Sequence, residues 1–125
     1  MDTVVNGYTI DLTVPMTSNY CPFYIHKAGG YKIQIGITKW PTGNCQLSSI
    51  AYLQNLFLAT NCNKSDVIAI LKECYRICGA SPLLICIDVR SHLVDQVEKC
   101  FNIKHKYPYT STNGSSMCLF MAKLE

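Results

Sequence analysis

The sequence predicts an α+β fold: a mixed, mostly antiparallel sheet with one βαβ crossover. Three observations lead there. Apolar and polar residues alternate with period two through the first third, apolar residues recur at three- and four-residue spacing from Lys64 to Cys78, and an Asn-Gly turn separates two alternating segments near the end.

Tyr8, Ile10, Leu12 and Val14 alternate with Thr9, Asp11 and Thr13, which predicts a strand with one dry and one wet face that stops at Pro15. Phe23 to Lys27 and Tyr31 to Thr38 flank Ala28-Gly29-Gly30, whose glycines accept positive φ, so the pair reads as a hairpin. Pro41-Thr42-Gly43-Asn44 signals the next turn. The segment from Cys45 to Leu58 is apolar at both periods. A helix would stack Leu47, Ile50, Ala51, Gln54 and Phe57, whereas a strand would divide the apolar residues between two faces. Two-sided apolarity suits a buried central strand, and a strand is the expectation.

From Lys64 to Cys78, Val67, Ile70, Leu71, Cys74 and Ile77 build one helical stripe, with Asn63 or Ser65 placed to cap its start and Gly79 to end it. After Pro82, the run Leu83 to Val89 reads as a strand buried on both faces, which makes strand, helix and strand a right-handed crossover. Ser91 is placed to cap a shorter helix through Cys100. Ile103, His105, Tyr107 and Tyr109 alternate before Asn113-Gly114, and Met117, Leu119 and Met121 alternate after it, which predicts a closing hairpin. The expected order is β-β-β-β-α-β-α-β-β.

The chain has 125 residues, enough for one domain spanning 1–125 with a core of its own. Hydrophobic residues make up 49% and charged residues 15%, which excludes the composition of a disordered chain. The net charge is +3 and the only arginines are Arg76 and Arg90, so no nucleic-acid partner is expected. The eight cysteines include no CxxC and no close Cys/His pair, which points to reduced thiols, no metal and a cytoplasmic setting. The longest apolar run, Leu83 to Ile87, is far short of the roughly 20 residues of a membrane helix, so no membrane partner is expected.

The order of elements and the text of the second half resemble the GNAT family of N-acetyltransferases. The matching parts are Tyr52 to Leu58 as central strand, the helix from Lys64 to Cys78, the strand from Leu83 to Asp88, the short helix from Ser91 to Cys100, and the hairpin from Ile103 to Leu124. Val97-Glu98-Lys99-Cys100-Phe101-Asn102-Ile103 is similar to the family's short-helix ending. The resemblance implies acyl transfer from acetyl-CoA to an amine. Backbone groups of Leu56, Leu58 and Thr60 would hold the pantetheine arm, while Asn63, Lys64 and Ser65 would meet the pyrophosphate at a helix N-terminus. The sequence departs from the family in two places. The loop from Ala59 to Ser65 contains no glycine, and Val97 stands where many members carry a proton-donating tyrosine. Asp88, Tyr107 and Tyr109 are the remaining candidates for acid and base.

Two other readings compete. Cys45 at the start of a helix, with His105 as its base, would form a papain-like thiol hydrolase. An acetyltransferase-like scaffold without its cofactor signatures would suit a non-catalytic binding protein, an inhibitor or a phage-type accessory protein. The expected partners are a small-molecule amine or a protein, and a second copy of the chain, since the terminal hairpin offers an edge strand for a homodimer.

Overall fold

The computed structural model describes residues 2–12, 20–42, 45–51, 53–79 and 84–124, with the backbone alone at 2, 39–42 and 45–51. The strands are β1 (Asp2–Val5), β2 (Tyr8–Leu12), β3 (Tyr20–Lys27), β4 (Ile33–Thr42), β5 (Cys45–Ala51), β6 (Ile85–Arg90), β7 (Asn102–Thr110) and β8 (Ser116–Lys123). The helices are α1 (Leu53–Thr60), α2 (Lys64–Ile77) and α3 (Val94–Cys100), the last led in by a 3₁₀ turn over Ser91–Leu93.

The first five strands form an antiparallel meander in the order β1-β2-β3-β4-β5. Its period-two pattern works as the sequence implies: Tyr8, Ile10, Phe23, Ile25, Ile35 and Ile37 are buried on one face, while Tyr24, His26 and Gln34 stay on the other. The last three strands form a second antiparallel sheet in the order β6-β8-β7. One cluster of buried side chains unites both sheets with the helices, running from Ile10 and Phe23 through Leu56, Ile70, Leu71 and Tyr75 to Ile87 and Phe120.

Four expectations need correction. First, β1 was not anticipated, although Asn6 (φ 51°) and Gly7 (φ 83°) are the two positive-φ residues of a tight hairpin turn into β2. Second, the expected central strand through Leu58 ends at Ala51, and Leu53 to Thr60 is helix α1. Leu53, Leu56, Phe57 and Thr60 recur at helical spacing and are all buried, so coiling leaves Leu58 as the one large apolar side chain of this helix in solvent. Third, the parallel pair expected across the crossover has no ladder. Strands β5 and β6 lie alongside one another, but every ladder among the described residues is antiparallel and none joins these two. Fourth, Ser91 does not cap α3. It opens the 3₁₀ turn, and its hydroxyl donates to Ser116 Oγ at 2.9 Å.

The remaining boundaries follow the sequence closely. Asn63 caps α2, with its side chain accepting the Asp66 N–H at 3.1 Å, and Gly79 takes φ 72° just past the helix end. Strand β4 runs through Pro41, which pairs with Gln46, and Gly43 and Asn44 of the expected turn lie outside the described residues. So do Val14, Tyr52 and Leu83. No helix among the described residues is long and apolar enough to cross a membrane.

Candidate functional site

The sequence-derived site residues fall into two groups, one at the start of α2 and one on the outer face of the second sheet. At the first, α1 and α2 are joined by a short turn that has a helix-closing job of its own. Cys62 N–H reaches Phe57 O at 2.9 Å and Asn61 N–H reaches Leu58 O at 3.3 Å, with Asn61 at φ 54° and Cys62 at φ 58°. This six-to-one and five-to-two pairing is the Schellman closure of a helix, with asparagine in place of the usual glycine. Asn63 then caps α2, and Val67 N–H takes Asn63 O at 3.0 Å. Lys64 and Ser65 are exposed at the mouth.

Neighbouring elements pin this corner. Asn6 Nδ2 donates to Asp66 Oδ1 at 3.0 Å from the β1–β2 turn, and the Cys62 thiol donates to Gln96 Oε1 at 2.7 Å on α3. Leu56, Leu58 and Thr60 are helical and do not present an extended edge. Thr60 Oγ1 donates back to Leu56 O at 2.9 Å. The extended clamp expected of these three residues is therefore absent from α1.

On the second sheet, register decides which candidates meet. Asp88 on β6 stands opposite Leu119 on β8, which stands opposite Tyr107 on β7; one row further, Arg90, Met117 and Tyr109 align. Tyr109 reaches diagonally across β8, a distance an aromatic side chain can span. Its hydroxyl donates to Asp88, with Oδ1 at 2.9 Å and Oδ2 at 2.8 Å. The hydrogen bond to the carboxylate, aided by slight desolvation and the Asp88 charge, raises the Tyr109 pKa from its ordinary value, so the phenol stays protonated. Tyr107 turns instead to His105, with ring centroids 6.0 Å apart at 23°. Tyr109 and Tyr107 are 42% and 50% exposed, so both lie within reach of a ligand on this face.

The thiol hydrolase expectation fails on the backbone. Cys45 opens strand β5, paired with Thr42, so no helix dipole acts on it. Burial raises the thiols of Cys74, Cys86, Cys100 and Cys118 from their ordinary values, which keeps them protonated and poorly nucleophilic. Among the described residues, no group of three or more His, Cys, Asp or Glu side chains gathers as a metal site would.

The Asp88–Tyr109 contact could not be read directly from the sequence, because β8, the last strand, inserts between the two strands that carry it. No family model matches the sequence, and the search of curated proteins found no match. Among solved structures, the chain is similar to a Sphaerobacter thermophilus DSM 20745 protein described as a "putative acetyltransferase". The TM-score is 0.51 over 98% of this chain and 96% of that one, at 6% identity. The likeness is one of fold. Both chains share a mixed α and β fold along nearly their whole length, while the strand order expected from the sequence differs from the one described above.

Proposed function

We propose that this chain is an acyltransferase-like protein that passes an acyl group from a coenzyme A thioester to an amine. The observation that supports this reading most is the hydrogen-bonded Asp88–Tyr109 pair, whose Asp88 stands on β6, the strand that borders the seam with β5, where no ladder is formed among the described residues. Backbone N–H and C=O groups on strand edges need partners. The facing edges of β5 and β6 suit the amide groups of a pantetheine arm, in place of the helical Leu56, Leu58 and Thr60. Lys64 and Ser65, exposed at the positive end of α2, suit its phosphates, with Asn63 holding the turn.

A bound acyl thioester supplies an activated carbonyl carbon and a thiolate leaving group. Asp88 takes the proton shed by the amine nitrogen as the C–N bond forms. Tyr109 gives its hydroxyl proton to the departing sulfur as the C–S bond breaks. The proton on Asp88 then returns to the Tyr109 phenolate along the hydrogen bond that already joins them, which resets the pair with no net gain or loss.

Thermal denaturation with acetyl-CoA and with CoA tests binding: ligand at 100 times Kd adds about 2.7 kcal/mol to stability. Tyr109→Phe is expected to keep that shift and to lower acyl transfer about 10²-fold, within the usual range for a general acid. A second reading, a non-catalytic binding protein on the same scaffold, is favoured by the self-capped mouth, where Asn63 already occupies the Asp66 N–H and the preceding turn serves α1. No thermal shift at millimolar acetyl-CoA would select it.

A further inference from the structure

A separate recess opens between α1 and the β3–β4 hairpin, with a volume of about 470 Å³, well within the range of small-ligand sites. It contains none of Asp88, Tyr109, Asn63, Lys64 and Ser65, so it stands whichever reading above holds. Its walls are mainly apolar: Tyr8, Ile33 and Tyr31 from the sheet and its turn, Leu58 and Ala59 from α1, with the Asn55 amide as one polar group.

Two features set this recess apart from ordinary surface. Leu58 is 71% exposed and Tyr31 is 91% exposed, the two highest values among the large apolar side chains described, and both line the same opening. One apolar side chain in water is unremarkable, but two around one concavity mark a surface shaped to be covered. The second feature is charge. Lys27 lines the recess with its ammonium 4.6 Å from the Tyr8 ring centroid, and no carboxylate pairs with it among the described residues. His26, which also lines the recess, faces Asp11 with Nε2 3.9 Å from Oδ2. Tyr8 itself is buried and donates to Ala59 O at 3.3 Å, so the ring beneath the ammonium is tied to α1.

We infer that this recess binds a small carboxylate with an apolar body, its hydrocarbon between Leu58, Tyr31 and Ile33 and its carboxylate on Lys27. An ammonium with no carboxylate partner among the described residues, set at the edge of an apolar cavity, disfavours cations and gains from an anion, while the walls exclude a fully hydrated one such as inorganic phosphate.

Titration of the full chain with sodium octanoate, followed by ¹H–¹⁵N NMR, reads the site directly. Saturable shifts are expected at the amides of Lys27, Tyr31, Leu58 and Ala59, with no comparable response to octylamine. Lys27→Met keeps the aliphatic stem and removes the charge; it should weaken octanoate binding about tenfold, a loss of about 1.4 kcal/mol. Leu58→Ser, at an exposed helix position, provides a second variant and should weaken it as well. Shifts confined to other residues, equal binding of octylamine, or octanoate affinity unchanged in both variants would overturn the assignment.

Discussion

In the five-stranded sheet β2, β3 and β4 bury Tyr8, Ile10, Phe23, Ile25, Ile35 and Ile37 on one face, whereas the three-stranded sheet buries Ile85, Ile87 and Val89 of β6 and Cys118, Phe120 and Ala122 of its central strand but leaves nearly every residue of β7 exposed. Both sheets are antiparallel, and β6, at one end of the second, is buried alongside β5, so the difference belongs to β7 at the other end, whereas β3 and β4 are interior strands. Burial makes the first sheet a determinant of folding. Exposure leaves the second free to carry polar side chains such as Asp88 and Tyr109, whose contact needs no core to hold it.

The contrast is tested most severely by truncating an aromatic in each region. Phe23→Ala in the first sheet should cost about 3–5 kcal/mol, read as a lower urea midpoint at unchanged slope, while Tyr107→Ala on β7 should cost less than about 1 kcal/mol. Equal losses would break the comparison. A smaller effect is expected at Gly36, where an added Cβ would run into the ring of Tyr20 on the outer face. Tyr20 is partly exposed and can swing aside, so Gly36→Ala should cost about 1–2 kcal/mol by thermal denaturation. Asn63→Ala removes the α2 cap and should cost about 1 kcal/mol, measured in the same way.

The smallest effect is electrostatic and belongs to the second sheet. The Tyr109 pKa is raised by the hydrogen bond to Asp88, so the folded state holds this proton more tightly than the unfolded chain does. The associated stabilisation is present below the ordinary phenol pKa of about 10 and is lost as pH rises through the folded value. Ultraviolet titration of the native protein should show one phenol ionising late, a component missing in Tyr109→Phe and returned toward ordinary pH in Asp88→Asn. An unchanged curve in Asp88→Asn would remove the pair.

Much of this was legible in the sequence. Alternation placed β2, β4, β7 and β8, the Ala28-Gly29-Gly30 turn placed β3, and Asn63 or Ser65 with Gly79 bracketed α2, because local patterns alone decide those elements. Asn6-Gly7 is an equally local signal, and it turns the chain from β1 into β2. The stretch from Leu53 to Thr60 was not legible for a physical reason. Its apolar residues satisfy either period, and only packing against the core reveals that a helix hides Leu53, Leu56 and Phe57 together. The site was legible as separate residues and not as a pair. Asp88 and Tyr109 stood out individually, yet their meeting depends on strand order, which no local pattern encodes.

Among the described residues no ladder joins β5 to β6, and this bears on how the two sheets are held together. Two halves of a sheet welded by backbone hydrogen bonds can be parted only by breaking them one after another, but here the halves lean together through packing and chain connectivity. Were the proposed thioester arm to lie along this seam, its amides would meet strand edges that no ladder occupies among the described residues, and neither sheet would give up a hydrogen bond to admit it.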